Sequence, residues 1–413
     1  MTRAITSTLR SIALATSLFS AGAACGVDLQ SFSTVERGRY LATAADCTAC
    51  HTKPGGRLFA GGVALQTPFG TLVGPNITPD PEAGIGSWTD DDFVSALRDG
   101  RGLGGIHLYP AMPYPAYTKM TRDDALAIRA YLRTIDPAPD KVESNQLPFP
   151  FDIRSALIVW NSINFTPGEL APDLSKSAQW NRGHYLVDAL GHCGMCHTPK
   201  TIMGADDDSA YLQGGRVEGW YAPNITADPG KGIGGWSTDD IVTYLKTGAN
   251  SDALASGGMG EEVVHSSSHM TDDDLKTIAV YLLSLKPAVQ QSPQPLAVTD
   301  ARMTAGQAIY KDNCAACHTD AGIGSPRLFP RLARSPAVQS DDPTTLIHTV
   351  LFGSQAAGTT GAPTGPAMPS FAWRLSDAQV AAVVTYIRNT WGNAAATVSA
   401  DKIQTIRGKR EEP

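Results

Sequence analysis

The chain has almost no thiol to spare. Its 413 residues include seven cysteines. Six of them fall in three copies of one short pattern, so no pool remains for a disulfide framework. Long hydrophobic runs are also missing. The stretch from Ile12 to Phe19 is too short to span a bilayer, and the one from Ile153 to Phe165 is both too short and broken by Arg154, Ser155 and Asn161. There is no basic excess: 33 Lys and Arg stand against 40 Asp and Glu, a net charge of -7. That balance argues against nucleic acid as a partner.

The length admits two to four domains. The 40 Gly and 28 Pro suggest many tight loops and modest regular structure. Arg3 and Arg10, then the apolar run from Ile12, then Ala21-Gly22-Ala23-Ala24 read as an export signal over residues 1–24. Cleavage is expected near Ala23 or Ala24. Cys25 is then either a spare thiol at that border or a lipidated end, although Gly22-Ala23-Ala24 lacks the large aliphatic residue such a site usually wants.

The six remaining cysteines form Cys47-Thr48-Ala49-Cys50-His51, Cys193-Gly194-Met195-Cys196-His197 and Cys314-Ala315-Ala316-Cys317-His318. Two thiols at this spacing can form thioethers with haem vinyl groups, and the adjacent imidazole can ligate the iron. Zinc is the rival, since Cys and His bind it too. Three copies in similar frames favour three covalent haem c groups. Such groups would also replace part of the side-chain core of a small domain.

Each motif lies in a repeated unit. A short helical segment with a Gly precedes it: Arg37-Gly38-Arg39-Tyr40-Leu41, Arg182-Gly183-His184-Tyr185-Leu186 and Ala305-Gly306-Gln307-Ala308-Ile309-Tyr310. A Gly here costs helix propensity, so close helix crossing is its expected reason. Each unit ends in a helix capped at Thr121, Thr271 or Ser376. Ten residues past each cap stands Tyr131, Tyr281 or Tyr386. The first two copies share Pro75-Asn76-Ile77-Thr78 with Pro223-Asn224-Ile225-Thr226; the third has Phe329-Pro330-Arg331-Leu332 instead. Asn76, Thr78 and Trp88, with Asn224, Thr226 and Trp236, either bond haem propionates or build turns. A carbonyl near Pro75, Pro223 or Pro330 either accepts from the proximal imidazole and fixes its orientation or belongs to such a turn as well.

The sixth iron ligand is sought in the loop before each capped helix. Met112, Met259 and Met368 are the only set present in all three copies. Met120 and Met270 compete, but the third copy has Leu375 there, which fits a hydrophobic staple. His107, His265, His269 and His348 have scattered offsets from the caps. His/Met ligation favours ferrous iron and leaves no open position, so such a centre moves single electrons.

With these residues in place, the chain resembles the triheme cytochrome c subunit of membrane-bound bacterial dehydrogenases. The matching stretches include Gly74-Pro75-Asn76-Ile77-Thr78-Pro79, Tyr109-Pro110-Ala111-Met112-Pro113-Tyr114-Pro115, Gly191-His192-Cys193-Gly194-Met195-Cys196-His197-Thr198-Pro199 and the run from Ala367-Met368-Pro369 to Trp391-Gly392-Asn393. The resemblance covers essentially all of the mature chain. It implies a mainly α fold of three consecutive class I-like cytochrome c domains, at 28–135, 177–286 and 300–393. Linkers at 136–176, with the apolar segment, and 287–299 join them, and 394–413 form a tail. It also implies a periplasmic face of the inner membrane, a flavin or quinoprotein catalytic dehydrogenase subunit as electron donor, and membrane ubiquinone as acceptor. Nothing in the chain itself resembles a flavin, quinone-cofactor or molybdenum site. Two other classes stay open on the residues alone: a free-standing multihaem electron shuttle, and a haem enzyme such as a peroxidase or thiosulfate dehydrogenase. The apolar segment either packs between domains or forms a docking or membrane-surface face.

Overall fold

A computed structural model of the chain describes residues 31–217, 219–286 and 293–408. The expected signal segment, Cys25 and part of the Pro/Gln-rich linker lie outside these residues. The fold is mainly helical, with three small two-stranded antiparallel sheets.

Three units follow one another, and each is closed by a crossed pair of helices. The pairs are Phe32–Ala44 with Arg122–Leu132, Ala178–Tyr185 with Asp272–Ser284, and Ala301–Asn313 with Asp377–Ile387. The closing helices start at the predicted hydroxyls. Thr121 accepts from the Asp124 amide and Thr271 from the Asp274 amide. Ser376 accepts from the Gln379 amide, and the Gln379 side chain returns the bond to the Ser376 amide. These bonds satisfy amides that the helix itself cannot.

The three glycines lie at the crossings. A Cβ on Gly38 would stand 1.8 Å from the Ala127 carbonyl oxygen, on Gly183 2.0 Å from that of Thr277, and on Gly306 2.3 Å from that of Ala382. The β-carbons of Tyr131, Tyr281 and Tyr386 form the other wall, 3.0, 2.9 and 2.5 Å from the same points. The glycine and the tyrosine ten residues past the cap are therefore two halves of one contact. The closing helices turn apolar side chains inward: Ala125, Ile128 and Leu132 in the first, Leu275, Ile278 and Leu282 in the second, Val380, Val383 and Ile387 in the third. Arg129, beside Ile128, is buried as well; its guanidinium bonds Asp90 at 2.8 Å and the Trp88 carbonyl.

The first two units share one hydrophobic core and the third has its own. Packing also runs past the boundaries expected from sequence. Asn76 donates to the Ala138 carbonyl at 2.7 Å, and Gln146 pairs with Thr71, so the start of the 136–176 linker is stitched to the first unit. The tail forms helix Ala400–Gly408, which buries Ile403 and Ile406 against the third unit. Their spacing of three places both on one helix face.

Candidate haem sites

In each unit the motif occupies one tight helical turn: Cys47–His51, Gly194–His197 with Cys193 at its N-cap, and Ala315–His318 with Cys314 at its N-cap. Cys, Cys and His then fall at positions i, i+3 and i+4, which share a helix face. Among the described residues no disulfide joins the cysteines. Burial pushes the Cys47 thiol up to about 12, ahead of the nearby Asp46 charge, and the Cys314 thiol up to about 11. Burial raises Cys193 as well. Among the described residues, no group of three or more His, Cys, Asp or Glu side chains is placed to hold a metal ion.

The imidazoles are held alike. His51 Nδ1 lies 2.7 Å from the Pro75 carbonyl, His197 Nδ1 2.7 Å from that of Pro223, and His318 Nδ1 3.0 Å from that of Pro330. A carbonyl only accepts, so Nδ1 carries the proton and Nε2 keeps a lone pair. Burial lowers the pKa of each ring, against the opposing effect of the carbonyl, which keeps it neutral. Three neutral imidazoles, each with one nitrogen anchored and the other available beside two thiols, fit covalent haem.

The sixth-ligand candidates sit in different surroundings. Met112 is partly buried against the shared core, in the loop before Tyr114. Met259 lies on helix Gly258–His265, which packs against the first unit's motif helix Cys47–His51. Met368 is in a two-residue strand paired with Ser354 and touches the third core. Met120, Met270 and Leu375 are all buried in the cores, as a staple position requires. Asn76 and Thr78 are spent on a turn: Asn76 Oδ1 accepts from the Thr78 amide at 2.9 Å and from its hydroxyl at 2.7 Å. Asn224 and Thr226 repeat this arrangement.

Sequence reasoning missed how the first two units are locked together. Tyr40 of the first donates to Asp274 of the second at 2.6 Å, and Tyr185 of the second donates to Asp124 of the first at 2.6 Å. Each carboxylate is also gripped within its own unit, Asp274 by Arg182 and Asp124 by Arg37. The exchange is reciprocal, as at a two-fold interface. A trace was present in the repeats: the third copy has Ala305, Ala308 and Gln379 where the others have Arg, Tyr and Asp. Also missed were two half-buried acids between the units. Burial, then the charges of Glu262 and Glu261, push Asp46 up to about 8, and burial pushes Glu262 up to about 7.

The cytochrome c family model matches residues 35–136 and 303–391. These two segments flank a middle unit built on the plan of the first. The gluconate 2-dehydrogenase cytochrome c subunit of Pantoea cypripedii is 42% identical over 407 residues, covering 93% of this chain and 92% of that protein. The chain belongs to the cytochrome c subunits of dehydrogenases. Other members include the cytochrome c subunit of alcohol dehydrogenase (quinone) from Gluconobacter oxydans (strain 621H), 40% identical across 90% of this chain and 82% of that one. The fructose dehydrogenase cytochrome subunit of Gluconobacter japonicus is 39% identical across 92% and 84%. Membership makes this cytochrome subunit a carrier of covalent haem c and of electrons.

Proposed function

We propose that this cytochrome subunit relays electrons from a catalytic dehydrogenase subunit, of flavin or quinoprotein type, to ubiquinone at the periplasmic face of the inner membrane. The partner would oxidise an alcohol, sugar or sugar acid. What carries the reading is full-length relatedness: subunits named for gluconate, alcohol (quinone) and fructose dehydrogenases each match at least 90% of the chain.

Three haem c groups would be held by Cys47 and Cys50, Cys193 and Cys196, and Cys314 and Cys317, in units 28–135, 177–286 and 300–393. Bound haem c supplies reversible exchange of one electron between ferrous and ferric iron. His51, His197 and His318 would be the proximal ligands. The Pro75, Pro223 and Pro330 carbonyls hold the ring proton on Nδ1 and fix each ring's orientation. Met112, Met259 and Met368 would close the opposite faces, raising the potentials and leaving no position for a substrate.

The test is a haem count with ligand replacement. Purified protein should hold three covalent haems per chain, and the reduced native protein should not bind carbon monoxide. Replacing Met112, Met259 or Met368 by Ala should each change one haem's spectrum and potential. Fewer than three haems, carbon monoxide uptake by the native protein, or spectral change on replacing Met120 or Met270 instead would refute it.

A further inference from the structure

The second and third units meet close to a sixth-ligand candidate. Helix Thr344–Phe352 of the third unit packs on strand Trp220–Ala222 of the second. Thr345 grips that strand by its backbone: its hydroxyl accepts from the Tyr221 amide at 2.7 Å and donates to the Tyr221 carbonyl at 2.9 Å. His348, three residues on, shares the helix face with Thr345. Its ring packs on Trp220 with centroids 4.1 Å apart. The indole also rests on backbone. A Cβ on Gly257 would stand 2.8 Å from the indole ring, and Gly257 has a φ of +57°, a conformation that favours glycine. Gly257 stands two residues before Met259.

The chain just before Gly257 is tied to the third unit as well. The Ala357 amide donates to the Ala255 carbonyl at 2.8 Å, and Ser256 bridges Ala356. Ala255 and Ala356 are both buried. The Ala356 amide donates to the Pro366 carbonyl at 3.0 Å, and Ser354 pairs with Met368. Residues 354–357 are therefore the middle of three backbone segments, with the approach to Met259 on one side and the strand of Met368 on the other. The second copy departs from the first at the two positions this contact uses. Three residues before Pro223 it has Trp220, where the first copy has Leu72 before Pro75; two residues before Met259 it has Gly257, where the first copy has Pro110 before Met112. Leucine presents no ring to stack, and proline cannot adopt a positive φ.

We propose that the third unit fixes the sixth iron ligand of the second, with Trp220 and His348 as positioning residues for Met259; this rests on the reading of Met259 as an axial ligand. A thioether is a weak acceptor on a side chain with three rotatable bonds. The backbone that presents it decides how much of the time the sulfur is in reach. Gly257 and Gly258 precede Met259, and glycine loses more conformational freedom on being held than any other residue. The third unit supplies the hold, through the Ala255 and Ser256 backbone contacts and the rings stacked over Gly257. Groups that orient a ligand without touching the metal commonly set its affinity. A side chain of one unit thereby governs the closure of the iron site in another. Plain docking of the two units would use the same ring stack but leave Met259 indifferent to it, and here the two readings part.

The experiment is titration of the ferric, haem-loaded full chain with imidazole, followed by absorbance. Imidazole enters only when the methionine lets go, so its apparent affinity reads the hold on the sulfur. His348→Ala and Trp220→Leu should each raise that affinity at one haem about tenfold, with covalent haem content unchanged. Trp220→Phe, which keeps a ring, should stay close to native. Arg216→Ala removes a seam ion pair with Asp342 and leaves the rings in place; it should also stay close to native. In a Met259→Ala background the position is already open, so His348→Ala should add nothing. If Met259→Ala opens a site but His348→Ala and Trp220→Leu bind imidazole like the native chain, the clamp alone is overturned. A further rise from His348→Ala on top of Met259→Ala would place its action at another haem, and a rise as large in Arg216→Ala would reduce it to general loosening of the seam; either result overturns the proposal. A Met259→Ala protein that gains no imidazole site would defeat the axial reading itself, and the clamp with it.

Discussion

Replacing Gly183 by Ala tests the crossing that builds every unit. The new methyl carbon would stand 2.0 Å from the Thr277 carbonyl oxygen and 2.6 Å from its carbon. Ordinary C···O contacts are near 3.3 Å or longer, so helices Ala178–Tyr185 and Asp272–Ser284 must separate by more than 1 Å, or about a third of a van der Waals contact. Backbone meets backbone here, so no side chain can rotate away. Alanine returns about 1 kcal/mol of helix propensity. Overpacking costs about 1–3 kcal/mol where a core can adjust. With rigid helices on both sides and Tyr281 on the third, the upper end applies, and the net loss is about 2 kcal/mol.

The assay is denaturant unfolding of the haem-loaded chain, followed by helix content and by haem absorbance. The midpoint should fall with no change in slope. Gly235→Ala is the control: nothing lies within 4 Å of its would-be Cβ, so its midpoint should stay within about 0.5 kcal/mol of native. Gly38→Ala and Gly306→Ala should repeat the Gly183 effect in their own units. A Gly183→Ala protein as stable as native would refute the idea that these glycines exist to let helices touch.

Three further outcomes are expected. Tyr185→Phe removes a hydrogen bond to the nearly buried Asp124 carboxylate and the acceptor of the Thr121 amide; it should cost about 1.5–3 kcal/mol in unfolding of the first two units and leave the third unit's transition in place. Asp274 gives a pH signature. Burial raises its carboxyl, but hydrogen bonds from Arg182 and Tyr40 and the Arg182 charge outweigh that and hold it below the usual carboxylate range. The unfolded chain then binds the proton more tightly, so this stabilisation is present above about pH 4 and lost as pH falls further; Asp274→Asn should flatten that acid limb of the stability profile, and an unchanged limb would exclude the clasp as its source. Arg388 is fully buried and donates to the carbonyls of Ala396, Val338 and Ser340. Arg388→Met leaves three acceptors unpaired and should cost about 3 kcal/mol or more in the third unit's unfolding; a neutral effect would show that water reaches them.

What the sequence made legible was what a repeat encodes locally. The motif's own spacing, the caps at Thr121, Thr271 and Ser376, the glycine crossings and the carbonyls at Pro75, Pro223 and Pro330 are all set within one unit, and each was readable because three copies carried it. Contacts between units were not readable. Tyr40 and Asp274 are 234 residues apart in the chain, and no periodicity links such partners. The orientation of helix Ala156–Asn164 was also hidden. Its composition says apolar, yet the bonds from Tyr114 to Asn161 and from Trp160 to the Met203 carbonyl decide which face turns outward. Arg129 and Arg388 break the expectation that charge stays at the surface, because backbone carbonyls and, for Arg129, Asp90 replace the water they lose.

These contacts also order the chain as two plus one. The first two units exchange tyrosines into each other's carboxylates and bury one common core, which fixes the spacing of their motifs as firmly as a domain interior is fixed. The third unit has none of the clasp residues and docks by other means. Arg216 meets Asp342, Lys231 meets Asp341 at 2.6 Å, Arg331 meets Asp252 at 3.0 Å, and Trp220 packs on His348 with centroids 4.1 Å apart. Most of these ion-pair side chains are partly or fully exposed and are individually weak. The sequence departure of the third copy and its polar seam have one cause. A unit that joins an already closed pair has no two-fold-related partner, so it cannot use a self-complementary clasp and must build a one-sided contact. On the relay proposed above, electron transfer between the first two motifs would run across a rigid core, and transfer to or from the third would cross the seam that salt and mutation can loosen.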